Sequence, residues 1–464
     1  MTPGTCNARR LPVHTTPWFF VSMTPMFSLP KTATAPFCPS EVAGSILVPP
    51  ELPWWKKAAR FAGPGLLVSV GYMDPGNWAT DIEAGSRFGY RLLFVVLLSS
   101  LAAILLQCLA ARLGIATRKD LARLSSERYP KAVGRVQWVL AEISIISCDL
   151  AEVLGSALAF KLLFSVSLPV GVALTALDTF IVLGLQGQGF RRVEAIILGL
   201  VGTIGLCFVV QLFLIGPDWA AVAAGFVPSL HVLSSREPLY LAIGILGATI
   251  MPHNLYLHSS IVQTRAVSGQ EGKRAAIRLT RVDTIASLCL ALLINAAILV
   301  VAASAFHRTG RTNVADISDA YQLLTPIAGT TIAAVAFAIG LFASGQSSTF
   351  TGTIAGQVIM DGFLQMKLPC WQRRLITRGL AIIPAFIGVL TMGDRAIGVL
   401  LVASQVVLSL QLPFAMFPLI RFTDDRRLMG VFANTRLVSY SAWFLFVVIS
   451  AANLWLVAQV FGLA

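Results

Sequence analysis

Apolar residues along this chain form long runs, which are separated by short polar segments rich in lysine and arginine. A helix needs about 20 consecutive, mostly apolar residues to cross the hydrocarbon core of a membrane. Eleven runs meet this requirement, and the eighth is long enough to extend beyond the membrane. The runs lie at about 61–88, 91–112, 136–163, 168–186, 193–214, 239–266, 278–305, 325–364, 375–393, 396–420 and 437–462. The pattern predicts an all-α membrane protein with eleven transmembrane helices.

The composition agrees with a membrane protein and excludes ordinary soluble classes. Of the 464 residues, 56% are hydrophobic and only 12% are charged, and the mean hydropathy is +0.77. Soluble domains carry about twice that share of charged residues. The formal charge of +13 does not predict a nucleic-acid partner, because the basic residues lie in short clusters between apolar runs. The expected surrounding is the lipid bilayer.

The basic clusters also predict the orientation of the chain. When the N-terminus is placed in the cytoplasm, most of the 35 lysines and arginines fall on the cytoplasmic side, where membrane proteins carry an excess of them. Eleven crossings then put the C-terminus outside. Residues 1–50 are rich in proline and threonine and contain no clean apolar run. We therefore expect a disordered tail at 1–50 and a transmembrane domain at 51–464.

The first apolar run is interrupted by Asp74-Pro75-Gly76-Asn77. A carboxylate at mid-membrane costs about 3 kcal/mol on the scale from insertion experiments. The proline removes a backbone donor and the glycine loosens the chain, so carbonyl groups lose their helical partners where no water is available. A bound cation would offset both costs. We therefore expect a discontinuous helix with a cation site at this point.

The sixth run contains a matching interruption, Met251-Pro252-His253-Asn254. Both segments have the form x-Pro-x-Asn, with Met251 at the position of Asp74. The sixth run comes five runs, an odd number, after the first, so the halves of the chain have opposite topology. Paired proline-interrupted segments of this kind mark the midplane site of a transporter. The sequence predicts broken helices 1 and 6 within two inverted five-helix repeats, at about 61–214 and 239–420, followed by an eleventh helix at about 437–462.

The two interruptions offer different metal ligands. Asp74 offers a carboxylate, Asn77 an amide oxygen and Met251 a thioether, while the unwound backbone near Gly71 and Ala248 offers carbonyl oxygens. Calcium and magnesium gain nothing from sulfur, whereas manganese, iron, cobalt and cadmium do. The set therefore favours a divalent transition metal. Two structural alternatives stay open: Met251 fills the core, and Asn77 only caps the second half-helix.

The third run carries three acids on one face of its helix. Glu142, Asp149 and Glu152 fall at offsets of seven and ten residues, which places them within about 80° of one another. Three ionised acids on one buried face would repel, so we expect some to hold a proton or to pair with a cation. His253 and Arg378 are candidate partners. An interhelical salt-bridge network without a proton role is the structural alternative.

Three further polar side chains in the apolar runs are weaker candidates. His253 is a candidate metal ligand, but its offset of two from Met251 favours a role in proton transfer. His258, closer to the cytoplasm in the same run, is either a gate residue or a histidine bonded to a neighbouring helix. Asn295 in the seventh run is a candidate to bind a backbone carbonyl group.

Three motifs together resemble the signatures of the Nramp family, the natural-resistance-associated macrophage proteins. They are the two interruptions and the segment from Gly345 to Gln357 in the eighth run, whose small residues we expect to permit close helix packing. The resemblance extends over 54–464. It implies a LeuT-like fold of inverted repeats and proton-linked import of manganese and ferrous iron by alternating access around a midplane site. A bacterial-type plasma membrane is the implied location.

The resemblance also implies which residues hold the metal. The family's ligands fall on Asp74 and Asn77 of the first motif and on Met251 of the second, with a carbonyl oxygen from Ala248. Gly71 stands where many relatives have alanine, a change that leaves a carbonyl ligand intact. The retained methionine argues against the magnesium-transporting and aluminium-transporting relatives.

For protons, the resemblance implies that Asp149 is the acceptor, with Glu152 and Arg378 further along an exit route to the cytoplasm. Gln405 in the tenth run resembles a family glutamine that joins the metal in some states. We expect Mn²⁺ or Fe²⁺ as the transported substrate and H⁺ as co-substrate. No cofactor and no obligate protein partner is predicted.

Two other classes of function stay open. A sodium-coupled organic solute symporter of the same fold would replace Met251 with groups suited to a carboxylate or a ring. A non-transporting metal sensor would be expected to carry a large soluble output domain. No nucleophile and base are paired for hydrolysis, so we expect no enzymatic activity.

Overall fold

The structure is a computed structural model that describes residues 43–48, 52–177, 190–229, 235–267, 269–312, 314, 317–365, 370–393 and 395–460. Helices account for most of these residues. In chain order they are α1 (Trp54–Phe61), α2 (Pro64–Val70), α3 (Pro75–Phe88), α4 (Leu93–Thr117), α5 (Leu121–Arg128), α6 (Lys131–Phe164), α7 (Leu168–Thr175), α8 (Phe190–Ile215), α9 (Trp219–Gly225), α10 (Arg236–Thr249), α11 (Pro252–Ile261), α12 (Gly269–Ala305), α13 (Ile317–Ala328), α14 (Thr331–Leu364), α15 (Cys370–Met392), α16 (Arg395–Asp424), α17 (Arg426–Met429) and α18 (Arg436–Val460). Two short strands, β1 (Ile46–Leu47) and β2 (Arg265–Ala266), pair in parallel.

Nine helical segments within the described ranges are long and apolar enough to cross a membrane. Eight match the predicted third and fifth to eleventh runs, and the other joins α3 to α4, which correspond to the first and second runs. The fourth run begins with α7, and its residues from 178 onwards lie outside the described ones. The protein is thus an all-α, multi-pass membrane protein, as predicted.

The end of the predicted tail pairs with the helical domain, while the disorder expected for 1–50 stays a prediction. Residues 43–48 include β1, and the backbone N–H of Gly44 donates to the carbonyl group of Gln263 (2.9 Å). The extended backbone of β2 provides the edge on which β1 pairs. The other residues of the predicted tail, 1–42, 49 and 50, lie outside the described ones.

Both predicted helix interruptions are present. A short 3₁₀ turn follows α2, and Asp74 then adopts an extended conformation (φ −69°, ψ 165°) before α3 begins. The second break has the same design, because Met251 is extended (φ −83°, ψ 124°) between α10 and α11. Each second half-helix has proline at its first position, where the missing N–H needs no partner.

The predicted single helix at 325–364 is wrong at its start. The chain forms two helices there, α13 and α14, because Gly329 turns it with a positive φ of 68°. The hydroxyl of Thr330 then caps α14 by accepting from the backbone N–H of Ile332 (3.2 Å). The hydropathy pattern did not show this turn, since glycine and threonine barely interrupt an apolar run.

The long helix α14 lies at the centre and packs against α6 and α8. Trp78 of α3, fully buried, fixes the first broken helix against this core. Its ring contacts Phe208 and Phe337, with centroid distances of 4.8 and 5.3 Å. Such pairs contribute about 0.5–1.5 kcal/mol each beyond their buried area. The half-helix that follows the first break is therefore held rigidly.

The start of α2 is held by two buried charges, Glu194 and Arg265, and a partly buried one, Asp283, which we call together the α2 clamp. The carboxylate of Asp283 accepts from the backbone N–H groups of Gly63 (3.2 Å) and Gly65 (2.7 Å). Arg265 forms an ion pair with Glu194 (2.8 Å) and donates to a backbone carbonyl group just before α2 (2.8 Å). The clamp ties the first broken helix to α8, β2 and α12.

Candidate metal site

Asp74 lies where the first broken helix resumes. One of its oxygens, Oδ1, caps α3 by accepting from the backbone N–H of Asn77 (2.9 Å) and also accepts from the Asn77 side-chain amide (2.6 Å). The side chain is buried, and its second oxygen, Oδ2, has no hydrogen-bond partner. A buried carboxylate oxygen of this kind needs a donor or a cation.

The two broken helices meet at Asn77. Its Nδ2 donates to Asp74 Oδ1 and also to the backbone carbonyl group of Ala248 at the end of α10 (3.1 Å). Met251 follows Ala248 by three residues, is fully buried and occupies the cap position of α11. The fold thus joins the two interruptions that the sequence singled out.

Side chains from other helices hold the carbonyl groups that the first break frees. The carbonyl oxygen of Met73 accepts from Trp78 Nε1 (3.2 Å) and from the hydroxyl of Ser344 in α14. The carbonyl oxygen of Tyr72 accepts from Asn295 Nδ2 (2.7 Å), which confirms the role expected for that asparagine. Both lone pairs of the Met73 oxygen are therefore engaged.

Two glycines let side chains approach the first break closely. A Cβ at Gly71 would lie 2.2 Å from Asn254 Nδ2, and a Cβ at Gly76 would lie 1.8 Å from Gln405 Nε2. The same position at Gly76 is 3.1 Å from Asp74 Oδ2, so Gln405 of α16 lies on the side of the break that holds this oxygen. The close approach of the Asn254 side chain therefore explains why residue 71 is a glycine.

Within the described part of the chain, no group of three or more His, Cys, Asp and Glu side chains is placed to hold a metal. A cation at the breaks would therefore depend on one carboxylate together with amide, thioether and carbonyl donors. Such a set binds a dication less tightly than several carboxylates do.

Two buried acids of α6 lie beside the second break. Glu152 is within 3.7 Å of Arg378 in α15, measured from Oε2 to Nη1. The other oxygen of Glu152 accepts from Cys148 Sγ (3.5 Å), which in turn lies 3.7 Å from His253 Nε2. Both candidate partners thus surround Glu152, one directly and one through a thiol. Asp149 is fully buried on the same helix.

The structure does not bring Glu142 together with the other two acids. Its carboxylate accepts from Trp138 Nε1 (3.2 Å) on the same helix and is partly exposed. Seven residues separate it from Asp149, which corresponds to about 10 Å along a helix axis. Its predicted place on a proton route stays a prediction.

His258 is bonded to a neighbouring helix, the alternative that the sequence left open. Its Nδ1 lies 3.0 Å from Gln107 Oε1 in α4, and Gln107 Nε2 donates to the hydroxyl of Tyr72 (2.8 Å). All three side chains are buried. They link the 3₁₀ turn of the first break to α11, and a gate role for His258 stays a prediction.

Comparison with known proteins agrees with the three motifs. The profile of the natural resistance-associated macrophage protein-like family, Nramp, matches residues 65–459. The chain belongs to the Nramp family. It is 70% identical over 434 residues to a protein of Ralstonia nicotianae named divalent metal cation transporter MntH, covering 93% of this chain and 98% of that relative. The MntH 1 protein of Pseudomonas aeruginosa is 67% identical over 438 residues, covering 94% and 100%.

Solved structures show the same architecture for this Nramp protein. The manganese transporter of Eremococcus coleocola, solved with an aromatic bis-isothiourea compound, superposes with a TM-score of 0.86 at 38% identity over 90% of each chain. Mhp1, a nucleobase-cation-symport-1 family transporter, gives a TM-score of 0.61 at 13% identity over 94% of this chain and 98% of that one. The second likeness concerns the fold alone, and the predicted LeuT-like fold is confirmed.

The third Nramp motif forms the face of α14 that packs on α6. A Cβ at Gly345 would lie 2.4 Å from Ser156 Oγ, and one at Gly352 would lie 2.9 Å from Glu152 Oε1. Close packing by small residues was the expected role. The structure adds that Gly352 makes room for the buried acids, since its Cβ position is also 3.7 Å from Asp149 Oδ1.

Sequence reasoning missed three residues of this Nramp site. Gln107 is a polar residue within an apolar run, a signal that was available. Asn254 repeats the place of Asn77 in the second break, so the symmetry of the two motifs could have pointed to it. Cys148 gave no such signal, because its contacts with Glu152 and His253 depend on how α6 packs against α11.

Proposed function

We propose that this Nramp protein is a secondary active transporter that imports divalent transition metal ions, mainly Mn²⁺ and Fe²⁺ and also Co²⁺ and Cd²⁺, linked to proton transport. Transport occurs by alternating access around the two breaks, in a cell membrane with the N-terminus in the cytoplasm. One observation carries the proposal: Asn77 contacts both Asp74 and the Ala248 carbonyl group, which joins two interrupted helices at a buried carboxylate. The names of the relatives, a divalent metal cation transporter and a manganese transporter, support the choice of substrate.

The amide of Asn77 marks the proposed metal position. Its nitrogen faces two acceptors, Asp74 Oδ1 and the Ala248 carbonyl oxygen. A cation needs oxygen ligands at this point, so the amide must rotate by about 180° to present Oδ1. Asp74, Asn77, Ala248 and Met251 would then supply carboxylate, amide, carbonyl and thioether donors, and the Gly71 carbonyl and Gln405 are further candidates.

The electrostatics of the breaks favour release as well as binding. Helices α3 and α11 begin there with partial positive charges, whereas α10 and the 3₁₀ turn after α2 end there with partial negative charges, so the effects of the helix ends oppose one another. The carboxylate of Asp74 is then the full negative charge that faces the cation. With one carboxylate against a dication, the site keeps a net positive charge and does not trap its ion.

The proposed proton route leads away from the metal site along α6. His253, Cys148 and Glu152 form a line of polar contacts from the second break to Arg378. Asp149, one residue from Cys148, is the proposed acceptor. With a separate proton path, the metal ion and the proton would cross the membrane through partly different side chains.

Asp149→Asn is expected to uncouple proton movement from metal movement, because an amide cannot take up the proton. The ratio of protons to manganese ions should fall towards zero, while some manganese uptake remains. The measurement is simultaneous recording of internal pH and manganese entry in proteoliposomes. Asp218→Asn, the same change at an exposed helix cap, is the matched control. A normal ratio in the Asp149 variant would contradict the proposed acceptor.

The proposed substrates are tested by uptake of Mn²⁺, Fe²⁺, Cd²⁺, Ca²⁺ and Mg²⁺ into proteoliposomes at two external pH values. We expect manganese, iron and cadmium to enter faster than calcium or magnesium, and faster still at the more acidic external pH. Equal entry of magnesium, or rates that do not respond to pH, would contradict the proposal.

Met251→Ala is expected to weaken the discrimination against calcium more than it slows manganese. Loss of one weak sulfur ligand should lower the ratio of manganese to calcium uptake by about tenfold, equivalent to about 1.4 kcal/mol. Competition between the two ions in the uptake assay measures this ratio. Met360→Ala, the same change at a buried position of α14, should leave it unchanged. Unchanged selectivity in the Met251 variant would argue against a sulfur ligand.

A sodium-coupled organic solute symporter is the second candidate, and the likeness to Mhp1 is the observation that favours it. That likeness is one of fold at 13% identity, whereas the manganese transporter is 38% identical. The uptake series separates the two candidates, since a sodium symporter would require sodium and would not be driven by a proton gradient.

A further inference from the structure

A cavity of about 290 Å³ lies between α4, α12 and α18, apart from the two breaks. Leucine and isoleucine side chains of α4 form most of its wall, and Val438 of α18 closes one side. Leu101, at one end of the α4 wall, is about half exposed on the outer surface of the helical domain. In a membrane this side faces lipid, so the cavity is an apolar groove that acyl chains can enter.

Two arginines, Arg112 of α4 and Arg281 of α12, line the same cavity. Among the described residues, no acid forms an ion pair with either of them. Arg112 donates one N–H to Asn434 Oδ1, and its buried Nε has no partner. Arg112 is eleven residues from Leu101, or about 16 Å along the helix axis, so the groove is basic at one end and apolar at the other.

Asp424, an acid that is linked to this basic end through Asn434, is already engaged. Both oxygens of Asp424 accept hydrogen bonds, from Asn434 Nδ2 (2.6 Å) to Oδ1, and from Ser439 Oγ (2.8 Å) and Trp443 Nε1 (3.0 Å) to Oδ2. Asp424 is linked to Arg112 only through Asn434 in the described structure. Two guanidinium groups against one carboxylate leave a positive charge at the end of the groove.

We propose that this cavity binds an anionic glycerophospholipid, with its phosphate on Arg112 and Arg281 and an acyl chain along the apolar wall. Basic pockets between transmembrane helices on the cytoplasmic side hold anionic headgroups in this way. A phosphate oxygen would satisfy the buried Nε of Arg112, and planar guanidinium groups bind phosphate with paired hydrogen bonds. A zwitterionic lipid fits less well, because its own amine adds a positive charge to a basic site.

The test is native mass spectrometry of the full-length protein, purified and exchanged into detergent with equal amounts of phosphatidylglycerol and phosphatidylcholine. The wild type should retain one phosphatidylglycerol. The double variant Arg112→Gln/Arg281→Gln should retain it about tenfold less well, since each arginine adds to headgroup affinity. Arg278→Gln, an exposed arginine on α12 outside the cavity lining, is the matched control and should retain the lipid normally.

A second variant tests the same cavity independently of the arginines, so the test does not depend on the folding of the double variant. Val438→Trp keeps both arginines and fills the apolar part of the cavity, so it should also lose the lipid. Inorganic phosphate added to the wild type should not displace the lipid, because it lacks the acyl chain. Displacement by phosphate, equal retention of phosphatidylcholine, or equal losses in the double variant and in Arg278→Gln would each overturn the proposal.

Discussion

Asp74→Asn is expected to lower manganese uptake by about 100-fold or more, because removal of one partner of a buried charge pair typically costs about 3–5 kcal/mol. The carboxylate is buried, and in the proposed site it is the group that offsets the charge of the ion. Asparagine has nearly the same shape, and its oxygen still accepts from the backbone N–H of Asn77. The helix cap is therefore kept and the charge alone is lost.

The loss should appear both in calorimetric manganese binding and in uptake by proteoliposomes that contain equal amounts of protein. Size-exclusion chromatography and thermal unfolding of the Asp74 variant should match the wild type. Asp218→Asn again controls for the substitution itself. Manganese uptake near the wild-type rate in the Asp74 variant would remove this carboxylate from the proposed site.

Arg265→Gln is expected to destabilise the start of the first broken helix by about 3–5 kcal/mol. The α2 clamp buries Arg265 against Glu194 and the backbone that leads into α2. The variant leaves Glu194 with Arg191, whose side chain is 43% exposed and therefore a weaker partner. The start of α2 should loosen, and water should reach the breaks more often from this end of the helix.

Two measurements check this effect on the α2 clamp. The first is the unfolding temperature. The second is the labelling rate of Ser69→Cys, a buried position in α2, in a background without native cysteines. Both should change more for Arg265→Gln than for Arg191→Gln, since the second arginine is partly exposed. Equal labelling rates in the wild type and the Arg265 variant would show that the clamp does not control access.

Much of the fold could be predicted because the sequence shows which residues are energetically unfavourable inside a membrane. Proline and aspartate within an apolar run are expensive in a membrane, so both breaks could be located before the structure was known. The start of α14 could not be located from the sequence, because the turn at Gly329 and Thr330 adds no strongly polar residue to the apolar run. A hydropathy pattern shows which residues lie within the membrane, but it does not show where the backbone changes direction.

The candidate site was predictable to the extent that its chemistry lies in short motifs. Asp74 and Asn77 are three residues apart, and their mutual hydrogen bonds follow from one helix turn. Contacts between distant helices were not predictable. Cys148 contacts His253 because α6 packs beside α11, and Gln107 contacts His258 because α4 packs beside the same helix. A hydrophobic pattern shows which residues are buried, but it does not show which helices are neighbours.

The engaged carbonyl groups before Asp74 have a consequence for the coordination number that the site can offer. Calcium takes about six to eight oxygen ligands. The Met73 oxygen already accepts hydrogen bonds from Trp78 and Ser344, and the Tyr72 oxygen accepts one from Asn295. Calcium could recruit the Met73 oxygen only by breaking one of its two hydrogen bonds. In the proposed site, the Met73 oxygen is therefore not free to complete the ligand shell of a calcium ion, an effect separate from that of the Met251 sulfur.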